Sequence, residues 1–163
     1  MKRDFISILD WTTGEILDNI GFAIELKKKT KEGMCPKLLE GKNYGIFFHK
    51  PSLRTRLSFE VGISQLGGSS MVLSEQDFKI GERETVSDVA RVMSRYVDGI
   101  LIRTFSHQMV LDLAEHATVP VINMLTDYNH PCQLMSDILT IKEKLGRIDN
   151  LRIAYVGDSN NMT

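Results

Sequence analysis

The 163-residue sequence predicts an α/β fold: a parallel sheet with helices on both faces. Two observations carry this. Short apolar or β-branched runs at 44–48, 71–73, 99–102 and 119–124 alternate with stretches of helical periodicity near 54–66, 84–96, 107–116 and 131–145. Strands separated in this way are joined by crossovers that pass above or below the sheet, which favours parallel pairing and covers both faces. No internal repeat or low-complexity stretch interrupts the order.

The elements can be justified in turn. Thr12-Thr13-Gly14-Glu15 has the form of a capping box, and Ile16, Ile20, Ala23 and Ile24 continue an apolar stripe behind it, predicting a helix from about 13 to 31. The stripe dissolves into Lys27-Lys28-Lys29, where cations suit the negative end of the helix dipole; the run reads as a solvated helix end rather than a polyanion site. The run 44–48 leads into Pro51-Ser52-Leu53-Arg54-Thr55-Arg56, in which Ser52 is a plausible N-cap for the next helix. Pro131 fits the first position of the helix near 131–145. Leu151-Arg152-Ile153-Ala154-Tyr155-Val156-Gly157-Asp158 reads as one more buried strand entering a glycine turn. The expected division is therefore residues 1–148 as one domain and 149–163 as the start of a second, most of which lies outside the chain.

Composition narrows the function. The 20 Lys and Arg against 21 Asp and Glu leave a formal net charge of -1, too small a field to recommend nucleic acid or an anionic membrane surface as a general partner. Apolar residues make up 42% of the chain, but no uninterrupted run approaches the roughly 20 residues that span a bilayer. The start Met1-Lys2-Arg3-Asp4-Phe5 has no signal-peptide core, so a cytoplasmic protein is expected. Cys35 and Cys132 stand far apart, as reduced thiols would, and the spacing of Cys, His and acidic residues suggests no metal site.

In an open parallel sheet, ligands sit beyond the carboxyl ends of the strands. The turn Ser52–Arg56 follows the run 44–48, Arg103 follows 99–102, and His130-Pro131-Cys132-Gln133 follows 119–124, so all three should share one edge. Two readings of the turn stand. It is a capped, basic surface helix in which Arg56 pairs with Glu60, or it is an anion site built from free helix N–H groups and the guanidinium groups of Arg54 and Arg56. His130 is likewise either a loop histidine or an imidazole that donates to a polarised carbonyl, with Gln133 one turn further on. His49, His107 and His116 show no comparable arrangement and read as surface or structural.

Ser52-Leu53-Arg54-Thr55-Arg56 and His130-Pro131-Cys132-Gln133 together resemble the Ser-Thr-Arg-Thr-Arg and His-Pro-x-Gln motifs of the carbamoyltransferases. Phe59-Glu60-Val61-Gly62, Gln65-Leu66-Gly67-Gly68, Asp88–Val92, Arg103 and Gly157-Asp158-Ser159-Asn160-Asn161 look like the ornithine branch of that family. The resemblance implies a domain that binds carbamoyl phosphate, a second domain for L-ornithine, a homotrimer with sites at subunit interfaces, and no cofactor. It implies that Ser52, Leu53, Arg54 and Thr55 hold phosphate, that Arg103 bridges phosphate and carbonyl oxygen, that His130 donates to that oxygen, and that Gln133 orients the carbamoyl NH2. Lys79, in the loop ending Lys79-Ile80-Gly81, is either an exposed lysine or one that reaches carbamoyl phosphate in a neighbour's site; Asn161 would contact ornithine, and Arg56 would brace.

Departures from the pattern are Leu53 for the commoner Thr, His49 where Glu is frequent, Ser159 where Gly is, and Lys79 where Gln is common. The implied activity is carbamoyl transfer to the δ-amine of ornithine in arginine biosynthesis, this chain supplying the carbamoyl phosphate half and being inactive alone. The competing readings are putrescine or another acceptor, and a non-catalytic module that binds carbamoyl phosphate or serves assembly.

Overall fold

The structure, a computed structural model, describes residues 2–74, 80–81 and 84–157. Its regular elements are α1 (Thr13–Lys31), β1 (Asn43–Phe48), α2 (Leu53–Gln65), β2 (Ser69–Ser74), α3 (Val86–Met93), β3 (Gly99–Arg103), α4 (His107–His116), β4 (Val121–Leu125) and α5 (Pro131–Leu145). The four strands pair in parallel in the order β2-β1-β3-β4. The chain therefore leaves β1 toward one edge and returns past it to β3. The topological switch point, where such folds open a crevice, falls between β1 and β3.

Alternation along the strands builds two cores. Phe47, Ile100, Ile102 and Val121 face one side, where they meet Val89 and Ala90 of α3 and Val110 and Leu113 of α4. Ile46, Phe48, Leu101 and Met124 face the other and meet Ile63 of α2. Each such side chain, fully buried, contributes about 1.5–3 kcal/mol, so these residues dominate the stability of the sheet. The predicted α/β fold with both faces covered is what forms.

Local signals place the helices. Thr12 and Glu15 form the reciprocal capping box, and α1 runs over the predicted span before packing against α5, where Lys27 and Glu143 pair at 2.6 Å. α3 is shorter than its periodicity suggested: Thr85 caps its start by accepting from the N–H of Asp88, and beyond Met93 the chain passes into tighter turns, Arg95 N–H to the Val92 carbonyl and Tyr96 N–H to the Met93 carbonyl. Gly146 closes α5 in the left-handed conformation that glycine adopts without steric cost.

Two features depart from the sequence reading. Phe5 lies beside β4, its N–H bonded to the Val121 carbonyl and its carbonyl to the Asn123 N–H, both at 2.9 Å. Its ring meets Trp11 edge-on at 5.3 Å, and Arg3 stacks over the same indole at 4.7 Å while pairing with Glu15 at 2.7 Å. The second departure is the expected strand at 151–158. Its described part, 151–157, forms none; Ile153 and Val156 are 78% and 95% exposed. Apolar alternation becomes a strand only where a neighbour pairs its backbone and covers its side chains, and no described element does so here.

Candidate functional site

Beyond the carboxyl ends of β1, β3 and β4 lies an open cleft of about 840 Å³. It is lined by Ser52, Arg54 and Thr55 from the start of α2, Arg103 from the end of β3, and His130 and Gln133 from the start of α5. The three sequence segments thus meet as expected. The side chain of Leu53 does not line the cleft and is 74% exposed, so any part it plays there is through its main chain. Lys79 and Asn161 lie outside the described residues.

The start of α2 is shaped to hold an anion. Ser52 has extended backbone, φ -160° and ψ 113°, and its Oγ accepts from the Thr55 N–H while donating to Thr55 Oγ1 at 3.0 Å. The N–H groups of Leu53 and Arg54 have no acceptor among the described residues, and they sit at the positive end of the helix dipole. Arg54 is exposed, and its guanidinium has no ion-pair partner among the described residues. Arg56 pairs with Glu60 at 2.8 Å, one turn along the same helix, and does not line the cleft.

Arg103 connects β3 to this helix start. The pairing of β3 with β4 slips between Ile102↔Asn123 and Arg103↔Leu125, an irregularity of the kind that re-aims a side chain. The guanidinium donates from Nη1 to Thr55 Oγ1 at 3.3 Å, while its Nε is buried with no acceptor among the described residues. An unsatisfied buried donor costs roughly 1–3 kcal/mol. Burial lowers the Arg103 pKa, but a guanidinium stays charged throughout the physiological range.

His130 is the N-cap of α5, and its Nδ1 accepts from the Gln133 N–H at 3.3 Å. With Nδ1 accepting, the ring carries its proton on Nε2. Burial, and then the Arg103 charge, lower its pKa to about 4, against a smaller opposing effect of Asp137. At neutral pH the ring is an uncharged donor. Gln133 Nε2 donates to Asp137 Oδ1 at 2.8 Å, and because a carboxylate only accepts, this leaves the amide oxygen of Gln133 as its open end. Cys132 donates to the Asn123 carbonyl at 3.3 Å, and burial pushes its thiol up to about 12, so it is no nucleophile. Cys35 and Cys132 are both free.

Sequence reasoning did not assign Phe5, Lys50, Ser58 or Ser136 to the site, yet all line the cleft. Lys50 Nζ stands 3.8 Å from Asp127 and 5.0 Å over the ring of Phe105. Its adjacency to Ser52 was the available signal; the others arrive by packing. Among the described residues, no Asp or Glu lines the cleft and no group of three or more metal-ligating side chains occurs.

A parallel α/β sheet that gathers a free helix start, a half-buried guanidinium and a neutral imidazole at its switch point defines a domain for a small, phosphate-like anion with an adjacent polar group. The sequence agrees. Residues 3–143 match the family described as aspartate/ornithine carbamoyltransferase, carbamoyl-P binding domain, and the chain belongs to that family. It is 52% identical over 160 residues to the ornithine carbamoyltransferase of Symbiobacterium thermophilum, covering 98% of this chain and 52% of that protein. It is 48% identical over 162 residues to the one from Methanocorpusculum labreanum, covering 99% and 53%. The solved ornithine carbamoyltransferase of Pyrococcus furiosus superimposes with a TM-score of 0.95 at 48% identity, covering 98% of this chain and 51% of that one. The chain spans about half the length of these relatives.

Proposed function

We propose that this chain supplies the carbamoyl phosphate half of an ornithine carbamoyltransferase, which transfers the carbamoyl group to the δ-amine of L-ornithine and releases L-citrulline and phosphate. The observation that carries the reading is the Arg103–Thr55 contact at 3.3 Å, which couples the free start of α2 to the cleft shared with His130.

In this reading the N–H groups of Leu53 and Arg54, the Arg54 guanidinium and the Ser52 and Thr55 hydroxyls hold the phosphate. Arg103 bridges phosphate and carbonyl oxygen. His130 Nε2–H donates to the same oxygen, and the open Gln133 carbonyl accepts from the carbamoyl NH2. Attack by a neutral amine makes the carbonyl oxygen negative in the tetrahedral species, so donors aimed there are worth more as charge develops. Collapse breaks the bond from carbon to the bridging oxygen, and phosphate leaves as a stabilised anion that takes up the proton shed by the attacking nitrogen. Positioning of two substrates can supply up to roughly 7–11 kcal/mol, and no covalent enzyme intermediate or cofactor is needed.

The acceptor half is proposed to come from beyond residue 148, with residues 149–163 opening it and Asn161 touching ornithine. The chain alone is therefore expected to bind carbamoyl phosphate without forming citrulline at enzyme-like rates. A homotrimer is proposed as the working form, with Lys79 reaching carbamoyl phosphate. The exposed apolar stripe Leu53, Leu57 and Val61, one turn apart along α2, supports burial against another copy. A cytoplasmic place in arginine biosynthesis follows from the same reading; no helix among the described residues is long and apolar enough to cross a membrane.

Calorimetry with carbamoyl phosphate tests the assignment. Binding by the folded chain, weakened at least tenfold in Arg54→Ala by loss of one charge-assisted contact of about 1.5 kcal/mol or more, is expected. No binding, or binding indifferent to Arg54, would sink it.

A further inference from the structure

Behind His130 lies a buried polar cluster that the chemistry above does not use. Asn123 on β4 is 0% exposed, and its Nδ2 donates twice, to the Ile6 carbonyl at 3.0 Å and to Asn129 Oδ1 at 2.6 Å. Asn129 Nδ2 donates to the same Ile6 carbonyl at 3.3 Å. A carbonyl oxygen only accepts, so the orientation of both amides is determined. From the other side, the Cys132 thiol donates to the main-chain carbonyl of Asn123 at 3.3 Å. The residue before His130 is thus tied to the Asn123 side chain, and the residue two after it to the main chain at the same position.

The loop between β4 and α5 is closed by the same cluster. The Thr126 N–H reaches the Asn129 carbonyl at 2.9 Å, the Asn129 N–H donates to Thr126 Oγ1 at 3.3 Å, and His107 Nδ1 lies 3.0 Å from that hydroxyl. Packing alone does not account for Asn123. Its Oδ1 is buried with no donor among the described residues, a cost that an apolar residue of similar shape would avoid. What the amide provides, and an apolar side chain cannot, is direction.

We propose that Asn123 is a positioning residue for His130: by tying Asn129 to β4 and to the N-terminal segment, its side-chain amide fixes the imidazole with Nδ1 on the Gln133 N–H and the proton on Nε2. Its functional meaning rests on the carbamoyl phosphate reading, in which Nε2–H is the useful end of the ring. The geometric claim does not depend on that reading.

The test uses the whole chain, labelled with nitrogen-15, and the variants Asn123→Leu and Asn129→Ala. Imidazole nitrogen shifts report the His130 tautomer, and calorimetry with carbamoyl phosphate is run on the same samples. The parent is expected to show an accepting Nδ1 and a protonated Nε2. In both variants the Nδ1–H tautomer should become severalfold more populated, an effect that mere destabilisation would not produce. Asn129 is only half-buried, so its variant keeps the test open if Asn123→Leu does not fold. A folded Asn129→Ala or Asn123→Leu protein with the parent's tautomer overturns the proposal. If the tautomer shifts but the parent binds no carbamoyl phosphate, the positioning role stands and the function reading fails.

Discussion

Replacing Arg103 with Met should separate binding from stability. Among the described residues the guanidinium makes one hydrogen bond, to Thr55 Oγ1 at 3.3 Å, and leaves Nε buried without an acceptor. A hydrogen bond from a charged donor contributes about 1.5–3 kcal/mol, while an unsatisfied buried donor costs about 1–3 kcal/mol. Removing both together nearly cancels, and Met retains much of the apolar stem. The melting temperature should therefore stay within roughly 4 °C of the parent's. Binding has no such compensation. Loss of a single charge-assisted bond to phosphate, about 1.5–3 kcal/mol, weakens carbamoyl phosphate about 10- to 150-fold, and loss of the carbonyl contact as well would weaken it further. Calorimetry and thermal melts on the same preparation read the two quantities. An affinity loss under about threefold, or a drop in melting temperature large enough to explain the loss, would refute the reasoning.

The pH response of His130 has a definite sign. Its pKa is lowered to about 4 in the folded chain, below the ordinary histidine value, so between about 4 and 6.5 the unfolded chain binds more protons and stability falls as pH falls. Nuclear magnetic resonance titration should place the His130 midpoint well below pH 6; a midpoint near 6.5 would contradict the burial and the Arg103 charge assigned to it. The α2 stripe gives a further expectation. Leu57→Asp puts a charge at the centre of Leu53, Leu57 and Val61 and should shift the chain toward monomer in sedimentation velocity, with little change in melting of the monomer. A parent already monomeric at high concentration, or a variant that still assembles, would remove the stripe from the interface.

How much of this was legible in the sequence depended on the range of the interactions that decide each feature. Helix α1 could be placed from Thr12 and Glu15 because the capping box is local, and α5 from Pro131 for the same reason. Strand periodicity marked β1 and β3 to within a residue or two of their bounds. The order β2-β1-β3-β4 was not readable, because pairing partners are chosen by tertiary packing. The same limit hid Phe5, which joins β4 and the cleft across more than a hundred residues, and Asn123, whose period on β4 suggests only core. It also produced the one unrealised strand. Residues 151–157 have the composition of a strand but no described neighbour to pair with. The site motifs were legible because helix-start chemistry is local, whereas the tautomer of His130 required knowing what Nδ1 touches.

Trp11 is the only tryptophan in the chain, and it sits edge-on to Phe5, whose ring lines the cleft, with the Arg3 guanidinium on its face. All tryptophan emission thus comes from one indole, a single aromatic contact away from the cleft and beside a cation that can alter its excited state. Occupancy of the cleft can be followed optically in the unmodified protein, and any change in signal has one structural address.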